Sequence, residues 1–448
     1  MILSTAKLRL LILVDGKFGG FKKSLSSNRH QNNVLMNIRL RLIFMNFLEF
    51  FVWGAWLISL GAYLFNTLGF SGAQVGAIYG TMGIASLFMP ALLGIVADRW
   101  VNAERVLGLC HLIGAGLLIW ASTVSDYNTL YLILLLNSMC FMPTIALNNT
   151  VSYIVLENRG FNIVKDFPPI RVWGTVGFIA AMWMVDLAGW TKSPLQLYIS
   201  AGAGIVLGLY ALTMPACPPA RNAEKKSFAS AMGLDAFVLF KTPKMLVFFL
   251  FAMFLGAALQ ITNAYGSAFL DDFKDTFPDS FGVQHPNVLL SISQISETLF
   301  ILTIPFFLRR FGIKWVMLMS ILAWVLRFGL FGLGNPGDGL YLLILSMIVY
   351  GMAFDFFNIS GSLFVEKEAN VRIRASAQGL FMLMTNGVGA WLGTRISGEV
   401  VDYFTKDGVK DWQSIWFSFA GYALVLAIIF PIVFRYKHNP KEMEQIHH

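Results

Sequence analysis

Phe88-Met-Pro-Ala-Leu-Leu-Gly94-Ile-Val-Ala-Asp98-Arg99 is the tail of a long apolar run that ends abruptly in charge, with Arg105 just beyond. A helix that crosses a bilayer needs roughly 20 apolar residues, and the run reaching back to residue 73 supplies them. Outward from this stretch, apolar runs and short polar turns alternate from about residue 42 to residue 434. The pattern predicts twelve spans, at about 40–65, 73–97, 105–124, 128–157, 169–189, 194–214, 244–270, 286–308, 313–333, 339–365, 373–403 and 411–435. Asp126-Tyr127-Asn128, Lys192-Ser193-Pro194 and Asn335-Pro336-Gly337-Asp338 are turn signals between them.

Composition agrees. Apolar residues are 56% of the 448 and charged residues 13%, against about a quarter charged in soluble domains. The net charge of +8 does not indicate nucleic acid, because the basic residues sit in short loops between apolar spans. Cys110, Cys140 and Cys217 lie in or beside apolar spans, with neither metal-ligand spacing nor a disulfide framework. No metal or cofactor is expected.

With the N-terminus inside, the inside segments hold Arg39/Arg41, Arg99/Arg105, Arg159/Lys165, Arg221/Lys225/Lys226/Lys241/Lys244, Arg309/Arg310/Lys314, Lys367/Arg372/Arg374 and Arg435/Lys437/Lys441. The outside loops hold Lys192, Lys274, Lys406 and Lys410, and the loop after span 7 is acidic (Asp271, Asp272, Asp275, Asp279). One missed helix would invert this pattern downstream, so the asymmetry supports the span count and places both termini in the cytoplasm. The basic inside loop 215–243, with Pro218-Pro219, divides the chain into a six-helix bundle at 36–214 and another at 244–437, followed by a cytoplasmic tail at 438–448. The turn after span 2 is echoed by Arg309-Arg310-Phe-Gly312-Ile-Lys314 after span 8. Two such halves with a site at their interface are a common plan of secondary transporters. The Gly94, Asp98, Arg99 turn resembles the cytoplasmic gating signature of the major facilitator superfamily, which implies an all-α, polytopic major facilitator fold.

Residues 1–35 differ. Leu8–Val14 is too short to span a membrane, a polar basic stretch follows, and no small-residue cleavage site marks a signal peptide. Met36 opens an ordinary lead-in to span 1, so residues 1–35 read as a disordered extension or a mis-assigned start.

Charges within spans are costly and therefore candidates for function: Glu49, Arg171, Glu297, Arg327, Asp355, Arg395 and Glu399. Arg395 and Glu399 are spaced as a local pair on one helix face, and Arg327 reads as an interhelical anchor. Glu49, close to Trp53 and Trp56, is either a cavity carboxylate or a buried hydrogen-bonded acid. Gln294 with Glu297, and Gln260 with Asn263, each share a helix face. Tyr350, Phe354 and Asn358 form a stripe with Asp355 beside it, and Arg171, Thr175 and Phe178 form another behind Pro168-Pro169, which suit a helix's first turn. Packing alone would favour small or aliphatic residues here. Amides and a carboxylate can bind several hydroxyls, and aromatic rings can stack on a planar heterocycle. A nucleoside meets both requirements, and a simple sugar meets the first. A membrane-embedded acid can also carry a proton, which would couple transport to protons. Gly76-x-x-x-Gly80 and Gly389-x-x-x-Gly393 permit close helix approach.

Longer strings carry a closer resemblance. Phe88 to Arg99, Asp166-Phe-Pro-Pro-Ile-Arg-Val-Trp-Gly-Thr-Val-Gly-Phe178, Leu259-Gln-Ile-Thr-Asn263, Ser291-Ile-Ser-Gln-Ile-Ser-Glu-Thr-Leu-Phe300 and Tyr350-Gly-Met-Ala-Phe-Asp-Phe-Phe-Asn-Ile-Ser-Gly361 resemble the bacterial nucleoside:proton symporter family. The resemblance spans Met36 to about Lys437. It implies a nucleoside pocket lined by Arg171, Thr175, Phe178, Gln260, Asn263, Gln294, Glu297, Tyr350 and Phe354, with Gln294 and Glu297 on the ribose. It makes Asp355 a proton-coupling candidate, beside Glu49 from the reading above. It implies a multi-pass monomer in the bacterial cytoplasmic (inner) membrane, with nucleoside, proton and lipid bilayer as its partners. Glu49, where the family often has Gln, and the Arg395/Glu399 pair depart from the pattern.

The competing readings are a proton-coupled sugar or other small-polyol transporter, a drug exporter, and, more remotely, a membrane enzyme or receptor. His-Glu-x-x-His, Gly-x-Ser-x-Gly and the phosphate loop are missing from the sequence, so an enzyme is not expected.

Overall fold

The computed structural model describes residues 37–219, 234–370 and 373–436. The readings of residues 1–35 and of the tail 438–448 lie outside these, as does the stretch 220–233 of the central loop.

Helix α1 comprises residues 37–54 and Leu60–Asn66, separated by a turn at 55–59. Then come α2 (Gly72–Arg99), α3 (Ala103–Ala121), α4 (Tyr127–Glu157), α5 (Ile163–Leu187) and α6 (Leu195–Ala211). A 3-10 turn, Leu234–Lys241, leads into α7 (Pro243–Asp271). The following helical stretch, Pro286–Leu333, is 48 residues long. It reverses at Gly312, whose φ of 78° is open to glycine and strained for other residues. The reversal is evident because Arg327 on the return leg bonds Ser293 on the first. The legs are α8 (286–311) and α9 (313–333). Helices α10 (Leu340–Glu368), α11 (Arg374–Tyr403) and α12 (Trp412–Val433) complete the chain, with a π-helical segment, Leu383–Gly389, inside α11.

By length and hydropathy alone, eight helices among the described residues qualify as membrane spans. The long α8–α9 stretch counts once in that tally although it crosses twice. The break in α1, the 17 residues of α6 and the π segment of α11 account for the other three spans. Lipid-facing positions are large and apolar, for example Leu302 and Phe306 on α8 and Ile432 on α12. The sole strands among the described residues are two-residue pieces joined through Asp407-Gly408, a pair suited to a tight hairpin.

One boundary corrects the sequence reading. Helix α5 begins at Ile163, capped by the Asn162 side chain accepting from the Lys165 amide at 3.1 Å, so Pro168 and Pro169 lie inside it. The cap supplies the start that the prolines were expected to mark.

Helices α1–α6 pack among themselves, as do α7–α12, and the two groups meet where α2 faces α11, α1 faces α7 and α5 faces α8. Gly76 is needed at the first contact: a Cβ there would stand 2.1 Å from the Thr394 carbonyl oxygen. Polar links between the groups gather at the end with few basic residues. The Asp402 carboxylate accepts from the Gly72 and Ala73 amides, and Asp271 bonds Asn66 and Lys192. Asp186 on α5 accepts from His285 Nδ1 at 2.9 Å and the Asn287 amide at 2.6 Å. At the basic end, Arg39 meets Asp166, Lys244 meets Glu368 and Arg374 meets Glu366, each pair within one group. The polar links between the groups that the described residues make thus lie at the end poor in basic residues.

Candidate functional site

Helices α5 and α8 meet around Asp186 and Asn287, and each carries residues singled out from the sequence. On α5, Arg171 and Thr175 are half-buried and Phe178 is buried. The Arg171 guanidinium lies 3.9 Å above the Phe50 ring centre, a cation–π contact that holds it without a carboxylate. It is also within electrostatic reach of Glu297 on α8 and, more weakly, of Glu49 on α1. Gln294 stands one turn before Glu297, and its Oε1 is buried without a donor.

Helix α7 adds Gln260, which accepts from Asn263 Nδ2 at 3.3 Å. Helix α10 adds Tyr350 and Phe354, stacked with ring planes 10° apart and centres at 6.2 Å. Trp324 meets Tyr350 edge-on at 6.0 Å. Beyond Phe354, a small cavity is lined by Trp324, Phe354, Phe357, Asn358 and Asn386, among others. Asp355 is buried beside this face, within electrostatic reach of Glu297, and its Oδ2 has no donor.

Arg327 has the interhelical role expected of it. It is buried, bonds Ser293 on α8, the Ser346 carbonyl on α10 and Thr262 on α7, and stands 4.3 Å above the Tyr350 ring. It thereby fixes the ring that heads the aromatic stripe. Arg395 and Glu399 approach to 3.5 Å on an exposed face, as a local pair.

Glu49 is the buried hydrogen-bonded acid of the two readings left open. It is 0% exposed, bonds His111 Nε2 at 2.8 Å and accepts from the Thr144 hydroxyl at 2.6 Å. Gly94, Asp98 and Arg99 occupy the basic end of α2, where Asp98 and Arg99 are exposed and a Cβ on Gly94 would meet nothing within 4 Å.

Two residues escaped the sequence reading, and Trp53 entered it only as a neighbour of Glu49. His111 and Asp186 are ionisable groups within spans, so the criterion that found Glu297 would have found them. Trp53 meets Phe178 edge-on at 6.1 Å, with a buried indole N–H that has no acceptor.

The arrangement is a membrane-embedded set of amides, one carboxylate, one guanidinium and stacked rings, suited to binding a polyhydroxylated ligand with a flat ring. Comparison with known proteins agrees. The chain is 58% identical to the xanthosine permease of Escherichia coli (strain K12) over 412 residues, 91% of this chain and 99% of that one. It is 56% identical to the nucleoside permease NupG of the same strain over 406 residues, 90% of this chain and 97% of that one. The crystal structure of nucleoside transporter NupG superposes with a TM-score of 0.85 at 55% identity, over 90% of this chain and all of that one (100%). The major facilitator fold expected from the sequence is therefore the fold of this all-α, multi-pass membrane protein. A family model described as nucleoside H+ symporter matches residues 36–439, and the chain belongs to that family.

Proposed function

We propose that the protein imports nucleosides together with protons across the bacterial cytoplasmic membrane, by alternating access between a bundle at 36–214 and a bundle at 244–437 joined by the cytoplasmic loop 215–243. Both termini are cytoplasmic on this reading, and the protein acts as a monomer. The cargo crosses unchanged, so no catalytic step is involved.

The observation that carries the reading is that Glu297 on α8 lies within electrostatic reach of both Arg171 on α5 and Tyr350, which heads the Tyr350–Phe354 stack on α10. Sugar hydroxyls donate to the Glu297 carboxylate and exchange hydrogen bonds with the Gln294, Gln260 and Asn263 amides. The base lies among Phe178, Tyr350 and Phe354, with Arg171 and Thr175 on its other flank. The orphaned Gln294 Oε1 gains a donor when a hydroxylated ligand enters, and buried polar groups are costly until they are paired. Asp355 is where we place the transported proton, because a buried carboxylate oxygen without a donor is costly when ionised. Its proximity to Glu297 makes proton and ligand sense each other.

In this cycle, the glycine-packed α2–α11 contact and the Asp186–His285 link close the outer side. The Gly94, Asp98, Arg99 turn closes the inner side in the opposite state.

Calorimetric binding of uridine to purified protein tests the site. Glu297→Gln is expected to weaken binding while leaving the melting temperature near wild type. Unchanged affinity in a folded variant would remove Glu297 from the site. Competition by glucose but not uridine would shift the cargo to the sugar class.

A further inference from the structure

One buried titratable pair has no part in the cycle above. Glu49 on α1 and His111 on α3 are 0% and 3% exposed, and they meet at 2.8 Å. The Thr144 hydroxyl on α4 completes the group. It lies 2.6 Å from Glu49 Oε1 and 2.6 Å from the Phe141 carbonyl oxygen. A hydroxyl has one proton to donate. When Glu49 is ionised, that proton points to the carboxylate. When Oε1 carries a proton, the acid donates to Thr144, whose own proton turns to the Phe141 carbonyl. Both charge states are satisfied with no heavy-atom movement. His111 also lines a small cavity with Trp56, Cys110, Asn137 and Phe141, which offers room for a proton to arrive.

We propose that Glu49 and His111 form a second proton-binding site, separate from Glu297 and Asp355, that sets the charge felt by Arg171. With neutral imidazole and ionised Glu49, the pair carries one negative charge; one added proton neutralises it. Arg171 rests on Phe50, the neighbour of Glu49 in sequence, and lies within electrostatic reach of both Glu297 and Glu49. The ionised pair competes with Glu297 for the guanidinium, whereas the neutral pair leaves Arg171 to Glu297. Proton occupancy and ligand affinity at Glu297 are then linked, and linkage is reciprocal. The other titratable groups close to this charge path are the Cys110 and Cys140 thiols, and Tyr153 beside Arg171. The surrounding Asn46, Asn148 and Ser152 are neutral and bonded to one another.

The affinity arm of this proposal rests on the nucleoside reading; the proton site itself does not. The test is infrared titration of the full-length protein in membranes. Wild type is expected to show a coupled carboxyl and imidazole step that Glu49→Gln and His111→Gln both lose. Thr144→Val, which leaves the Glu49–His111 bond in place but removes the donor to Oε1, is expected to move that step to higher pH. Identical difference spectra in wild type and folded Glu49→Gln, or an unmoved step in Thr144→Val, would overturn the site. Uridine binding from acid to alkaline pH then reads the linkage: the pH dependence of Kd is expected to shrink roughly 5-fold or more in Glu49→Gln. An unchanged dependence would overturn the link to Arg171. A wild type that titrates as described yet binds no uridine would support the proton site and overturn only the cargo assignment.

Discussion

Gly76→Ala is a small change with a large expected effect on one conformation. The added Cβ would stand 2.1 Å from the Thr394 carbonyl oxygen of α11, where ordinary contact begins at 3.4 Å. Helices α2 and α11 would have to part by about 1.3 Å, at a level where Gly72 and Gly80 also pack against α11. Overpacking of this kind costs ~1–3 kcal/mol. The contact belongs to the outer-closed arrangement, so the cost falls on that state. The balance between outer-closed and outer-open forms should therefore shift by roughly 5–150-fold. Spin labels at Ser125 and Val409, both exposed in outer loops, report the change as a growing long-distance population, with uptake reduced in parallel. Gly116→Ala is the control, because a Cβ there meets nothing within 4 Å and should leave the outer distances alone. A Gly76→Ala protein with wild-type distances and wild-type uptake would refute the assignment of this contact as the outer gate.

The remaining predictions rest on single contacts. Asp186→Asn keeps the shape but weakens the hold on His285, Asn287 and Val288, so the same spin labels should show more outer opening; no change would exclude Asp186 from the clasp. Arg327→Met removes the ties to Ser293, Ser346 and Thr262, each worth ~1.5–3 kcal/mol as a charged hydrogen bond before desolvation is counted, and should lower the melting temperature; an unchanged one would show that the anchor is dispensable. Asp411 caps α12, and the hydroxyl and amide of Ser414 hold its carboxyl below the usual carboxylate range. Its contribution is present above the carboxylate's unfolded value and is lost as pH falls through the depressed one, so Asp411→Asn should reduce the loss of stability on mild acidification. Identical acid sensitivity in variant and wild type would count against the cap.

Much of the fold was legible because each cue is local. The reversal at Gly312 is written in Arg309-Arg310-Phe-Gly312-Ile-Lys314, where charge and glycine interrupt an apolar run. The candidate residues on α5, α8 and α10 follow from helical spacing, so each helix's set could be listed from the sequence. What was not legible depends on partners distant in sequence. Glu49 stood out as a charge in a span, but its partners His111 and Thr144 lie on other helices, and no local pattern joins them. Asp186 finds His285 in the same way, across the boundary between the two groups of helices. The π segment at Leu383–Gly389 has no composition cue either: it lies where Thr385 and Gly389 pack closely against Gly256 and Met253 of α7, a tertiary constraint. The prolines of α5 misled because Pro suits a first turn, yet Asn162 already supplied the start.

The central claim is proton-linked nucleoside import, and its most direct test is uptake of labelled uridine and adenosine into cells that lack their own nucleoside transporters, with and without a protonophore. The account predicts accumulation that collapses when the protonophore is added. It also predicts that Asp355→Asn loses accumulation while retaining exchange of nucleoside down its gradient. Accumulation indifferent to the protonophore, or no entry of either nucleoside into cells that make the protein, would contradict it.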